Sequence, residues 1–212
     1  MYPSFFRLLF FVCLFLCITH SLFAQFGLKG GANYSTLQFN TPDEIDVGDF
    51  IAAFSWKGGG YLGAYYQKEW SKKHASTVEL LITQKGLESI DFQVHLIYLS
   101  LPLMAYYFPS ENFAFGLGTE IGYLFARTTN RWDLTTDELL RESYDQNLDI
   151  SLNAGIKFKI IERLWLEGRF NLGIIPVQEL EFTDANGQAA GIVNSYNRNF
   201  QVGVTYELKS QQ

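Results

Sequence analysis

The chain has 212 residues, with 16 basic against 22 acidic side chains and a formal net charge of −6; 17% are aromatic and only 18% charged. That sign of charge excludes a nucleic-acid binder, because phosphates are gripped mainly by cations. Both cysteines, Cys13 and Cys17, fall within the first 24 residues. Disulfide scaffolds, thiolate metal sites and cysteine nucleophiles are thereby excluded from the rest.

The opening stretch "MYPSFFRLLFFVCLFLCITHSLFAQ" carries one charge, Arg7, then an apolar run from Leu8 to Ile18. A charged start, a short apolar core and a small residue before a polar one describe a secretory signal peptide over residues 1–24, cut after Ala24. A membrane anchor needs a longer run of ~20 residues. Val12 and Leu16 precede the cysteines where a lipid-attachment signal wants a small residue, so neither cysteine reads as a lipidation site. Residues 25–212 then form one domain of 212 − 24 = 188 residues, with 15 basic and 22 acidic side chains.

Eight segments of period-2 alternation follow, at approximately 26–37, 59–68, 76–87, 95–108, 112–125, 148–160, 163–174 and 198–208. Each is near the ~9–11 residues that a tilted strand needs to cross a bilayer. The first sets Leu28, Ala32 and Tyr34 against Lys29, Asn33 and Ser35. The third sets Val78, Leu80 and Ile82 against Thr77, Glu79 and Lys85. The fourth, "LIYLSLPLMAYYFP", puts Leu99, Leu101 and Leu103 on one face and Tyr98, Ser100, Pro102, Met104 and Tyr106 on the other. Pro102 removes one ladder hydrogen bond, so a local bulge is expected there. In the sixth, Leu152, Ala154, Ile156 and Phe158 oppose Ser151, Asn153, Lys157 and Lys159. In the last, Phe200, Val202, Val204 and Tyr206 oppose Gln201, Thr205 and Glu207.

Alternation alone fits a soluble barrel, apolar inside, or a membrane barrel, apolar outside. Three features favour the second. The polar row is poor in charge against the ~25% usual for soluble domains. Aromatics collect near segment ends, at Tyr65–Tyr66, Trp70, Tyr106–Tyr107–Phe108, Phe113 and Trp165, as in an interfacial girdle. Connections also alternate: 69–75, 109–111 and 161–162 are short, 38–58, 126–147 and 175–197 long, with 88–94 an exception at seven residues. The expected fold is an all-β, eight-stranded antiparallel up-and-down transmembrane β-barrel, with both termini on the short-turn side.

The inward row collects Lys29, Lys85, Lys157, Lys159 and Arg169 against Glu79, Glu120, Asp149, Glu167 and Glu207, five of each sign. Eight strands enclose only enough room for side chains, and charges enclosed there must be paired. These ten residues are expected to form a lumen ion-pair network that closes the barrel. A carboxylate pair could also serve glycosidic chemistry, though structural pairing is the plainer reading. No metal, cofactor or catalytic residue is assigned. His74 and His95 lack zinc-site spacing, and His95 and Ser100 point to opposite faces of one strand. The acidic loop with Asp43, Glu44, Asp46 and Asp49 reads as solvated or as a divalent-cation holder. Thr135 and Glu138 sit at capping-box spacing, and "DANG" at 184–187 is a turn signal.

The segments "FGLKGGANYSTL", "ELLITQKGLE", "YLSLPLMAYYF" and "NFQVGVTYEL" together make the chain resemble the PorT-like outer-membrane β-barrel family, common in the Bacteroidota. The resemblance covers nearly all of residues 25–212. Ser100 stands where an acid is common in that family and Tyr106 where a lysine is common, as if one ion pair had been removed. "KSQQ" after Leu208 departs from the usual aromatic-terminated end. The resemblance implies an outer-membrane location, and for some relatives a link to protein secretion or gliding. Expected partners are outer-membrane lipid and other envelope or secretion proteins, met through the long loops. Two other readings stay open: a secreted or periplasmic lipocalin-like barrel carrying an apolar ligand, and an outer-membrane lipid-modifying enzyme.

Overall fold

The computed structural model describes residues 24–41, 54–89, 92–131, 147–183 and 189–208. Residues 1–23 of the expected signal peptide, the acidic loop, the Thr135–Glu138 pair and the "DANG" turn lie outside them. Ten strands form: β1 (Ala24–Asn40), β2 (Phe54–Ser55), β3 (Lys57–Ser71), β4 (His74–Ser89), β5 (Phe92–Ser110), β6 (Phe113–Arg131), β7 (Leu148–Ile161), β8 (Leu164–Gly173), β9 (Gln178–Thr183) and β10 (Ala189–Glu207). Each wall strand pairs antiparallel with the next, and β1 pairs with β10, so β1, β3 to β8 and β10 close an eight-stranded barrel. The short β2 adds to β4, and β9 adds to β10 above the end of β8. No helix among the described residues is long and apolar enough to cross a membrane, so any crossing is made by strands.

The register sets the tilt. From Gly27 the pairing runs through Tyr65, Glu79, Pro102, Glu120, Ser151, Gly173 and Asn197 back to Leu37. The steps Glu79–Pro102 and Gly173–Asn197 extend the neighbouring pairs Val78–Leu103 and Leu172–Arg198 by one. The return lies 37 − 27 = 10 residues further along β1. Ten residues of stagger over eight strands correspond to strands tilted by about 40°.

No bulge forms at Pro102. The ladder between β4 and β5 skips from Val78–Leu103 to Leu81–Ser100 without changing register, while Pro102 still pairs Glu120 on β6. A missing donor removes a bond but inserts no residue, so nothing has to buckle. The irregularities fall elsewhere, at Ile97/Tyr98 and at the turns. Those turns are tight: two residues each at 72–73, 111–112 and 162–163.

The apolar row faces outward all round. Leu99, Leu101, Ile156 and Val204 are 45%, 39%, 50% and 42% exposed, whereas Lys157 and Arg169 are 4% and 1% exposed. This orientation is that of a membrane barrel and overturns the lipocalin-like alternative. A lipocalin-like barrel would bury the leucines. Aromatic rings mark both rims. Phe26–Tyr66 and Phe113–Phe158 lie on the short-turn side, and Tyr34 stacks on Trp56 at 5.5 Å on the other.

The strands run further than the eight segments suggested, because above the lipid band the polarity inverts while the period of two persists. Leu37, Leu87, Val94, Leu96, Tyr98 and Val177 turn inward as a buried apolar cluster, with Leu124 and Phe92 packed against it. Gln38, Gln93 and His95 face out at the same level. The upper barrel is therefore built like a soluble one. Most of the residues expected as long loops at 175–197 belong to the hairpin of β9 and β10.

Gly86 holds the β4 end of this region. Its φ is 149°, and an added Cβ would overlap the Val94 carbonyl oxygen across the strand pair. Its N–H donates to Ser35 Oγ at 2.9 Å, and that hydroxyl donates to the Gly86 carbonyl at 3.1 Å. Gly86→Ala should lower the unfolding free energy by about 1–3 kcal/mol. Urea titration in lipid vesicles reads the shift. Gly60→Ala, whose Cβ would meet nothing nearer than 3.5 Å, should leave the midpoint in place.

Candidate functional site

The lumen is where the chain concentrates its buried charge, and it does so in two tiers. The lower tier, toward the short turns, joins Lys29 on β1, Glu79 on β4, Lys157 on β7, and Glu167 and Arg169 on β8. Arg169 grips Glu79 in a fork, Nη1 to Oε2 at 3.0 Å and Nη2 to Oε1 at 2.7 Å. The guanidinium matches a carboxylate in this bidentate geometry, which a lysine could not reproduce. Glu167 is the hub. It accepts from Lys29 Nζ at 2.6 Å and Arg169 Nη2 at 2.7 Å, and lies 3.6 Å from Lys157 Nζ. Hydroxyls complete its shell, Thr205 at 3.2 Å and Tyr106 at 3.4 Å. Lys157 also lies 4.1 Å from the centre of the Tyr106 ring, whose face attracts cations.

The upper tier is smaller. Lys85 Nζ donates to Glu120 Oε1 at 3.0 Å and Asp149 Oδ2 at 2.8 Å. Asn171 donates to Glu120 Oε2, and Asn197 to Asp149 Oδ2, both at 2.8 Å. The Tyr98 ring lies 5.1 Å from the Lys85 ammonium. All eight ionic groups of the two tiers are nearly solvent-free, four cations facing four anions. Such pairs hold because removing one partner would leave a charge buried without compensation, at a cost of several kcal/mol.

Two of the ten expected network residues are not part of it. Lys159 and Glu207 sit at the short-turn mouth, where Trp165 comes between them. The indole N–H donates to Glu207 Oε1 at 2.6 Å, and Lys159 Nζ lies 5.6 Å from the indole ring. The mouth opens as a polar pocket of about 240 Å³ that both residues line. Here solvent competes for charge, so direct pairing is not forced.

Sequence reasoning put Tyr98, Tyr106, Thr77, Thr205 and Asn171 on the inward row without giving them a place in the network, and it missed Asn197. All lie on the inward row, and that row was the available signal. Asn197 was hidden because β10 begins nine residues before the expected strand, at Ala189 rather than Arg198. The tyrosines are seated by facing glycines. A Cβ on Gly116 would run into the Tyr106 ring, as one on Gly27 would into Tyr65.

His95 and Ser100 do not meet. Ser100 is buried in the lumen, while His95 lies on the outer face above the lipid band. Its Nε2 accepts from Lys57 Nζ at 3.3 Å, and its Nδ1 lies 2.7 Å from the Gln84 amide. No cluster of three or more metal-ligating side chains occurs among the described residues.

The profile of the outer membrane protein beta-barrel domain family matches residues 19–179, about three quarters of the chain. No curated protein matches it in sequence. Among solved structures, the chain is similar to Ail, the attachment invasion locus protein of Yersinia pestis, at 11% identity and TM-score 0.44, over 88% of this chain and 100% of that one. It is also similar to OprG of Pseudomonas aeruginosa at 10% identity and TM-score 0.45, over 89% and 97%. A third is outer membrane protein W of E. coli, at 13% identity and TM-score 0.42, over 88% and 98%. An outward apolar wall, a salt-paired lumen, a closed eight-stranded register and that profile converge: the chain belongs to the outer membrane protein beta-barrel domain family.

Proposed function

We propose that this outer-membrane barrel conducts nothing and works as a structural or interaction protein through the segments joining its strands on the extracellular side. The carrying observation is the lumen. Its two charged tiers are tied at 2.6 to 3.6 Å, and an apolar cluster caps them toward the outside, so a hydrated solute meets paired ions and then leucines. Such a filled interior suits a rigid mount for extracellular segments. The reading extends to an accessory role in a secretion or gliding system and to the PorT-like branch of the family. The "ELLITQKGLE" and "YLSLPLMAYYF" segments support that branch. It also takes residues 1–24 as a cleaved signal and the protein as no enzyme, since His95 and Ser100 occupy opposite sides of the β5 wall.

Purified barrel added to planar bilayers should give no channel steps. Steady ionic conductance in the wild type would overturn the closed-lumen reading. Deleting the gene and weighing secreted protein against envelope lipid composition tests the role. Lost secretion with unchanged lipids supports the accessory reading, and altered lipids with intact secretion would favour an enzyme.

A further inference from the structure

The lipid-facing wall lacks protruding side chains at two places: one on β1 and β3, where Ala32 pairs Gly60, and one across β6, β7 and β8. At the second, the outward row reads Leu117, Ala154, Phe170, Phe200 along one level. One level nearer the short turns it reads Phe115, Ile156, Gly168, Val202. Ala154 and Gly168 are diagonal neighbours, and between the taller residues they leave a groove of about 480 Å³. Phe115, Leu117 and Ile156 wall one side; Phe170 and Phe200 wall the other. Arg169 contributes only backbone, because its side chain is buried in the lumen.

We propose that this groove holds one acyl chain of a phospholipid from the periplasmic leaflet. Its lining is hydrocarbon and it lies within the lipid band, so the occupant is apolar and membrane-embedded. A helix ~10–12 Å across is too broad to enter it. A second copy related by a two-fold axis would set hollow against hollow at the same patch. A single flexible chain has the right form, and the volume falls within the ~300–1,000 Å³ of ordinary ligand pockets. The leaflet follows from height. Phe115 stands three residues above the 111–112 turn, and Gly168 five above Arg163. Arg163, on the 162–163 turn beneath the groove, puts a cation at the level of a phosphate headgroup. Five residues of strand span roughly 16 Å, within reach of a chain whose head rests there.

The test is lipid retained by barrel extracted in mild detergent, read by native mass spectrometry. Wild type should carry one phospholipid per barrel. Gly168→Leu is sterically open, since the new Cβ would touch only Ile156 at 3.7 Å, and it fills the groove. It should cut retention at least fivefold while the unboiled, heat-shifting gel band persists. Ala154→Phe should do the same by plugging the other end. Leu62→Phe, on the opposite wall, should change nothing, and Arg163→Ala should lower retention of anionic phospholipid first. Unchanged retention in both filled variants, no bound lipid in wild type, or a crosslinkable dimer that the filled variants abolish would each overturn the proposal.

Discussion

Glu167→Gln should lower the unfolding free energy of the barrel by about 3–5 kcal/mol. The substitution keeps the shape and removes only charge. In the wild type the lower tier sets Lys29, Lys157 and Arg169 against Glu79 and Glu167, a balance of +1. Without Glu167 the same dry space holds three cations and one carboxylate. Water cannot enter to screen them, since every member is at most 4% exposed. Urea unfolding in vesicles of fixed lipid measures the loss. Adding Lys157→Met returns the balance to +1, so the double variant should be more stable than Glu167→Gln alone. A double variant losing the plain sum of both single losses would show that the charges are not coupled. Glu207→Gln, at the wet mouth, should cost about 1 kcal/mol or less.

The second large effect is on the outer face. Leu101→Arg places a guanidinium near the middle of the hydrocarbon and should cost about 2–4 kcal/mol. Ser110→Arg, at the exposed short-turn end of the same strand, should cost about 0–1 kcal/mol. The contrast tests depth with one chemistry. A soluble barrel would place Leu101 in its core and make the arginine ruinous, whereas equal and negligible costs at both positions would mean that neither meets lipid. The fraction of protein keeping heat-shift mobility, measured beside the urea midpoint, separates failed assembly from lowered stability.

Much of this was legible in the residues because a membrane wall imposes a simple rule on each strand. Lys29, Glu79, Lys85, Glu120, Asp149, Lys157, Glu167 and Arg169 fall on the inward row by parity alone, and parity survives any error in strand ends. The strand ends themselves were not legible. At Leu37, Leu87, Val94 and Leu96 the apolar side turns from lipid to lumen, so the pattern that signals a membrane strand stops while the strand continues. Lys159 and Glu207 obeyed parity but stand too low, where the mouth admits water and the pressure to pair disappears.

The sequence by itself determined the strand period, the outward face and the supply of opposite charges, because each depends only on which side of a strand a residue occupies. The tertiary structure decided who pairs with whom. Arg169 meets Glu79, ninety positions away, because the ten-residue stagger of the closed barrel brings β4 and β8 to the same height across the lumen. Height depends on register summed around the whole ring, and no single segment carries that sum.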